Sequence, residues 1–534
     1  MAPQIQIIVL LFVVVAAAAV LAARLKVPPS ILLVVIGVLL ALIPGLPAFE
    51  LAPEVVLLIV LPPLIYSSSF RMSWREFRFN LRPIALLAVG CVVFTTVAVA
   101  AAAHWLLHLS WGIGFVLGAI VAPPDAVAPL SIARTLGIPR RILVVLEGEG
   151  LANDATALIL YRFAVAAVSA GAFSPSAAVG TFAAIVVGEI AWGLAVSWAM
   201  LRLRRWADEP RVELVLAVLT PFFAYWVPEH LGGSGVLATV TAGLYASWNG
   251  QRLISSATRL QGVFFWDFFL YLTEGMVFLI TGLQARTLVE RMSGYSLRQL
   301  VVAAVVISAV VIVARFVWIF PATYLPRWLS ARLRRRDPSP PWQWVFVLSF
   351  TGVRGIVSLA AALAIPLLTL GGQPFPDRDL ILLLTFSVIL VTLVGLGLLL
   401  PAVIRVLGLA QAGRSEQRAD RAEEHAARQQ AIEAVIKRLE ALKSERELPD
   451  DIVGALRARH EQRLRHAARR GSSDEDDRKY GELHDEIELL LIAAEREHIN
   501  ALFRSGKLKD ETRRRIEREL DLREAGFAAR AGGG

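Results

Sequence analysis

Glu147-Gly-Glu149-Gly150-Leu-Ala-Asn153-Asp154-Ala-Thr-Ala-Leu-Ile-Leu-Tyr161-Arg162 sets three carboxylates, an amide and an arginine inside a segment that otherwise reads as membrane-spanning. A charge at the centre of a spanning helix costs roughly 2.5–3.5 kcal/mol even on lenient scales. Such a cluster persists only where its charges are paired, hydrated or used. Its default reading is an ion or proton site in an all-α membrane protein.

Outward from this stretch the chain stays apolar. Of its 534 residues, 56% are hydrophobic, too many for a soluble protein of this length. The apolar residues fall in runs long enough for helices of about 20 residues. The first run, Ile5 to Ala23, has no basic residue before it and Arg24 and Lys26 after it. That polarity is wrong for a cleaved leader, so it reads as a retained helix. The single cysteine, Cys91, excludes an intrachain disulfide and a cysteine-based metal site. The eight histidines show no zinc spacing. No cofactor is expected.

The basic balance is local. Residues 1–410 carry 28 Lys and Arg against 18 Asp and Glu, and residues 411–534 carry 26 against 27. The excess positive charge therefore belongs to the apolar part, where it sets topology. No basic-aromatic surface suggests a nucleic-acid partner; the expected surroundings are membrane lipid.

Hydropathy predicts thirteen spans, at about 4–23, 28–46, 53–70, 81–107, 111–134, 142–170, 175–203, 211–230, 234–250, 259–284, 298–327, 342–370 and 378–408. Turns after odd-numbered spans carry Arg24 and Lys26; Arg71, Arg75 and Arg78; Arg140 and Arg141; Arg202, Arg204 and Arg205; Arg252; and Arg332 with Arg334, Arg335 and Arg336. Turns after even-numbered spans are nearly bare, Arg286, Arg291, Arg298 and Arg378 excepted. The positive-inside rule then places the N-terminus outside and the C-terminus in the cytoplasm. Residues 1–410 form one transmembrane domain, and 411–534 form a cytoplasmic helical tail. Apolar periodicity recurs in that tail around Ala431, Val435, Ile436, Leu439 and Leu442, and around Ile487, Leu490, Leu491 and Ile492. Pro449-Asp450-Asp451 reads as a helix start, Gly506 as a stop and Gly471 to Asp477 as a linker. Its mixed charge fits a solvated face, with a regulatory or dimer-contact role as the alternative.

Three spans carry polar groups at one depth. Asp154 and Arg354 each lie twelve residues from the cytoplasmic start of their spans, roughly 18 Å at 1.5 Å per residue. Asp125 lies fourteen residues into span five from outside, about 21 Å. All three fall near the middle of a hydrocarbon core about 30 Å thick. The backbone there is irregular too. Pro123 and Pro124 remove two helix donors before Asp125, and Gly352 and Gly355 bracket Arg354. Irregular backbone at membrane depth is tolerated only in protein or beside a cavity. Spans five and twelve are seven apart, as symmetry mates of two inverted six-helix repeats joined by a linking helix would be. Paired broken helices are the best sequence pointer to a transporter's binding site.

Asp154 is the candidate for binding a hard monovalent cation through oxygen. Proton and cation then compete for one carboxylate, with Asn153 beside it. One acid must neutralise Arg354, and Glu149 is expected to do so as a structural bridge. Asp125 either caps the broken span, bonds Asn153 or touches the ion. Glu274 belongs to the ion pathway or to a pair. Glu147, Arg162, Glu189, Glu213, Glu229, Asp267 and Arg315 read as pairing, capping or interfacial residues. No nucleophile–base pair appears among the buried groups, so an enzyme is not expected. A gated cation channel is the rival class.

Pro123-Pro124-Asp125-Ala-Val-Ala, Glu149-Gly-Leu-Ala-Asn153-Asp154-Ala and Gly352-Val-Arg354-Gly-Ile-Val-Ser resemble the sodium/proton exchanger branch of the cation:proton antiporter superfamily, bacterial members above all. So do Leu61-Pro-Pro-Leu-Ile-Tyr66, Gly233-Ser-Gly-Val-Leu-Ala238 and Phe278-Leu-Ile-Thr-Gly-Leu-Gln284. The resemblance covers about 1–410. It implies thirteen helices in a core and a dimerisation domain, crossing broken helices at spans five and twelve, a homodimer, and elevator-like alternating access. It matches Asp154 to the ion- and proton-binding aspartate, Asn153 to its amide partner, Asp125 to the acid of the broken span, and Glu149 with Arg354 to a structural ion pair. An Asn-Asp pair in this superfamily goes with electroneutral exchange, here of sodium for a proton at the plasma membrane in pH homeostasis, with potassium/proton exchange as the alternative. The chain departs from the pattern at Pro124 and Gly150, where the family has Thr and Ser. Both changes remove a hydroxyl from the ligand set, leaving backbone carbonyls or water to substitute.

Overall fold

In a computed structural model, residues 2–44, 52–170, 175–207, 209–254, 256–291, 296–446, 449–471, 475–505 and 507–531 are described. Their fold is all-helical, and the one β-bridge, Leu368 to Pro374, is isolated. The chain divides into two compact units, Met1–Gly413 and Arg414–Gly534.

The first unit has a helix at each predicted span, in the order Ala2–Leu25, Pro29–Ala41, Pro53–Arg71, Leu81–Leu107, a pair Trp111–Val121 and Val127–Leu136, Arg140–Ala170, Pro175–Ala207, Pro210–His230, Val236–Leu253, Ser256–Leu283, Leu297–Leu329, a pair Trp342–Phe350 and Ile356–Leu363, and Arg378–Val406. Among the described residues, eight helices are long and apolar enough to cross a membrane. The outward faces of these helices expose large apolar side chains such as Val263, Phe264 and Val305, as a lipid-facing surface requires.

The two pairs are the predicted broken spans. At the first, Ser110 caps the entering helix through the Ile113 N–H, and Pro123 and Pro124 end it because they donate no hydrogen bond. At the second, the chain runs without helix from Gly352 to Gly355. Span twelve is shorter than hydropathy suggests, since its helix ends at Leu363 and not at 370. Pro366 explains this: a proline disfavours helical backbone at the residue before it and breaks the ladder.

Three long helices contain a π-helical turn, at Val56–Val60, Leu86–Cys91 and Val391–Leu396. Such turns leave backbone groups free and gather at functional sites. Here Leu58 O accepts from Trp226 Nε1 at 2.9 Å and Leu86 O from Trp318 Nε1 at 2.9 Å. The third turn presents Thr392 to the second break.

Buried charge is handled by capping. Glu189, 2% exposed, accepts from the backbone N–H groups of Ser234 (2.5 Å), Gly235 (3.0 Å), Leu237 (3.0 Å) and Ala238 (3.4 Å). It fills the anion site that a helix N-terminus offers, here the start of Val236–Leu253.

The second unit is a set of charged helices, among them Asp450–Gly471, Glu475–Arg504 and Asp510–Ala531. Leu439, Val453, Ile492 and Leu520 are buried, whereas Ile487, Leu490 and Leu491 of the predicted stripe are exposed. Surface pairs such as Arg457–Glu440 (2.7 Å) and Arg496–Glu524 (2.6 Å) line the helices. A helix ends at Gly471 and another begins at Glu475; residues 472–474 of the linker, and Gly506, lie outside the described residues.

Candidate functional site

The two breaks meet. The Asp125 N–H donates to Val353 O at 2.7 Å, tying one irregular segment to the other. The helix Trp111–Val121 stops there, so its last carbonyls have no intrahelical donor. Arg354 supplies donors: Nε to Val121 O at 2.9 Å, Nη2 to Ala122 O at 3.1 Å, and Nη1 to Gly352 O. A cation is favoured at a helix C-terminus, and this guanidinium, 1% exposed, joins the ends of both broken helices. The Arg354 N–H donates to Thr392 Oγ at 2.9 Å, on the third π-helical turn.

Glu149 is not the partner of Arg354. Its carboxylate is held bidentately by Arg315 of Leu297–Leu329, at 2.5 Å to Nη1 and 2.7 Å to Nη2, with side chains 2% and 1% exposed. Arg315 Nε donates further to Leu348 O at 3.1 Å. This corrects the expected Glu149–Arg354 bridge. The physical reason is that the breaks offer Arg354 enough carbonyls to satisfy it without an acid, while Arg315 lies in a continuous helix and meets the Glu149 carboxylate across the packing. Arg162, on the same helix as Asp154, pairs instead with Glu229 at 2.7 Å.

Asn153 and Asp154 lie on Arg140–Ala170 opposite the first break. Asn153 Nδ2 donates to Pro124 O at 2.6 Å, and its Oδ1 is buried with no hydrogen-bond partner. Pro124 thus contributes a carbonyl where a residue with a hydroxyl would offer a side chain. Asp125 Oδ1 accepts from the Val127 N–H at 2.9 Å, starting the helix Val127–Leu136. Its other oxygen abuts Gly355: a Cβ there would sit 1.9 Å from Asp125 Oδ2. A Cβ on Gly150 would lie 2.7 Å from the Ala126 Cβ. Gly150 therefore brings the Asp154 helix close to the break, and a serine there would push the two apart. Gly352 packs against both buried arginines.

Asp125 and Asp154 face a cavity of about 300 Å³ together with Gly150, Pro123, Pro124 and Gly355. Glu274, half-buried on Ser256–Leu283, also lines it. Toward the arginine-rich end the lining includes Arg71, Arg134 and Glu147, with Ser67, Ser68, Ser131 and Ser358 as further oxygen groups. Arg134 holds Glu147 at 2.9 Å, and Arg71 holds Asp267 at 2.5 Å. Among the described residues, neither Asp154 nor Glu274 has an ion-pair partner. No cluster of three or more His, Cys, Asp or Glu among them is arranged to hold a metal ion, so the cavity lacks the ligand density of a resident divalent site. It offers a few oxygens and a titratable carboxyl, a set suited to a proton or a loosely held hard monovalent cation.

Sequence reasoning singled out Asp154, Asn153, Asp125 and Glu274, and the structure brings them to one region. It missed Arg315 as the partner of Glu149. The signal was present: Arg315 stands alone in an apolar run more than twenty residues long, and an isolated intramembrane charge implies a buried partner.

The model of the transmembrane sodium/hydrogen exchanger family matches residues 8–406. A Mycobacterium tuberculosis protein named as an uncharacterized Na(+)/H(+) exchanger is 35% identical over 506 residues, 94% of this chain and 92% of that one. A Bacillus pumilus protein named sodium, potassium, lithium and rubidium/H(+) antiporter is 32% identical over 387 residues, 70% of this chain and 57% of that one. Among solved structures, the sodium proton antiporter MjNhaP1 of Methanocaldococcus jannaschii shares the fold, with a TM-score of 0.61 at 19% identity over 77% of this chain and 98% of that one. The family match spans the apolar unit and every residue of the site, so the chain belongs to the sodium/hydrogen exchanger family.

Proposed function

We propose that this chain exchanges one sodium ion for one proton across the plasma membrane, as an electroneutral antiporter in which both ions compete for Asp154. The observation that carries the reading is the contrast between Asp154 and the other buried charges. Glu149, Glu189, Arg315 and Arg354 are fully engaged, whereas the Asp154 carboxyl faces the cavity with no ion-pair partner. A carboxyl free of cations is the one able to trade its proton for a metal ion.

Arg71 and Arg134 line the end of the cavity that the positive-inside rule assigns to the cytoplasm. The site then faces the cytoplasm through thirteen spans, with the N-terminus outside. The paired breaks support two inverted six-helix repeats. Alternating access follows if the broken helices and the Asp154 helix travel as one block past the helix that carries Glu274, in a homodimer whose other helices stay fixed. Asp125, Asn153 and the Pro124 carbonyl hold the binding region together, and Glu274 lies on the route to it. The exchange serves pH homeostasis.

Potassium/proton exchange is the second reading. It is favoured by Pro124 and Gly150, which remove two hydroxyls from the site, and by the cation range in the name of the Bacillus relative. Reconstitution in vesicles with an internal pH dye tests both. Sodium addition should collapse an imposed pH gradient, and Asp154→Asn should abolish the response while the protein remains folded. A response to potassium with none to sodium would replace sodium exchange with the second reading. Full activity in Asp154→Asn, or conductance without proton counterflow, would overturn the exchange mechanism.

A further inference from the structure

Away from the ion cavity, on the basic side of the apolar unit, three arginines converge on one aspartate. Asp337, in the turn after Ala331–Arg336, accepts from Arg141 Nη2 at 2.7 Å through one carboxylate oxygen and from Arg327 Nη2 at 2.6 Å through the other. Arg327 also donates from Nε to Asp337 O at 3.1 Å and from Nη1 to Thr323 O at 2.5 Å. Arg82 is left over. Its Nη1 is 3.8 Å from the nearer Asp337 oxygen, too far for a hydrogen bond, and both Nη atoms are buried without a partner. The side chain as a whole is 32% exposed, but buried Nη donors lacking acceptors are costly. With three cations and one anion, the cluster has an unsatisfied demand for negative charge.

The cluster lines a cleft of about 50 Å³ whose remaining walls are apolar, Leu86, Leu87, Ile319 and Leu348 among them. Beside it, Trp328 is 75% exposed and Leu329 71% exposed, and Arg332, Arg334, Arg335 and Arg336 follow within two turns of chain. An exposed tryptophan beside a run of arginines marks the level where headgroups meet acyl chains. Basic clefts between spanning helices at that level suit acidic lipid headgroups. A free inorganic anion has no use for the apolar walls.

We propose that this cleft binds an acidic phospholipid, its phosphodiester accepting from Arg82 and its first acyl carbons lying along Leu86 and Ile319. The lipid joins the basic-side ends of Leu81–Leu107, Arg140–Ala170 and Leu297–Leu329. Because Arg140–Ala170 carries Asp154, the lipid holds the ion-binding helix to its neighbours.

The test uses the purified, delipidated full chain, with lipid retention read by native mass spectrometry and stability by thermal melting. Probes are dioleoyl phosphatidylglycerol, dioleoyl phosphatidylcholine and sodium phosphate. Phosphatidylglycerol should be retained and should raise the melting midpoint, while phosphatidylcholine and phosphate should do neither. Arg82→Gln should weaken phosphatidylglycerol binding about fivefold, as loss of one basic contact at an acidic surface implies, and Arg24→Gln should leave it unchanged. Equal binding of both lipids, displacement by phosphate, or unchanged binding in Arg82→Gln would overturn the proposal. Arg82→Gln removes no hydrogen bond made by either Nη atom; should it still fail to fold, the ranking of the three probes on the unmodified chain decides.

Discussion

Removing either partner of the Glu149–Arg315 pair should destabilise the apolar unit far more than removing both. The pair makes two charge-assisted hydrogen bonds, 2.5 and 2.7 Å long, between side chains at most 2% exposed. Arg315→Met leaves a carboxylate with no cation beside it in the protein interior, and the expected cost is about 3–5 kcal/mol. Glu149→Leu leaves Arg315 in the same position at similar cost. The double variant removes both charges and keeps most of the volume, so much of the loss should return. The coupling in a double-mutant cycle is then roughly 3 kcal/mol. The cycle of Glu149→Leu with Arg354→Met should give less than about 1 kcal/mol, since those side chains share no hydrogen bond. Unfolding of purified protein in mixed neutral and anionic detergent micelles measures the three single and two double variants. Strong coupling of Glu149 to Arg354, with none to Arg315, would refute the pairing and restore the bridge expected from sequence.

Gly355→Ala should abolish exchange, because its Cβ would fall 1.9 Å from Asp125 Oδ2; vesicle assays at normal yield of folded protein check this, and wild-type rates would show that the second break yields easily. Gly150→Ser should cost about 1–3 kcal/mol in stability, the usual range for overpacking, as its Cβ meets the Ala126 Cβ at 2.7 Å. Glu189→Ala should cost about 2–3 kcal/mol by orphaning the N–H groups that start Val236–Leu253; a change below roughly 0.5 kcal/mol, the level of surface substitutions, would show that water replaces the carboxylate. Competition at one carboxyl also fixes the sign of the pH dependence. On the acid side, the KM for sodium should rise about tenfold for each unit fall in pH, with maximal rate unchanged, and a pH-independent KM would rule out a shared site.

How much of this was legible in the sequence depends on the kind of order involved. Helices in a membrane are dictated locally, since every backbone group must bond within its own segment, and apolar runs therefore located the long helices of the first unit, though not short polar ones such as Trp74–Phe79 and Ala331–Arg336. The breaks at Pro123-Pro124 and Gly352–Gly355 were legible for the same reason, as residues that remove donors or loosen backbone. Pro366 carried an equally readable stop that hydropathy overrode. Lateral packing was not readable. Arg315 and Arg354 are both buried cations, and periodicity along one helix does not say which neighbour faces Glu149. Glu189 finds its donors 45 to 49 residues away, on a helix start that only tertiary contact defines. Gly150 first looked like a missing ligand; its contact with Ala126 shows a second role, in spacing the Asp154 helix from the break.

The most direct test of the central claim is the count of protons released when sodium binds. Purified protein in weakly buffered detergent solution, titrated with sodium chloride against choline chloride, should release up to one proton per sodium bound when the site starts protonated. Asp154→Asn should release none, and Glu149→Gln, if folded, should release as the unmodified chain does. Sodium binding without proton release, or release that persists in Asp154→Asn, would contradict competition for Asp154.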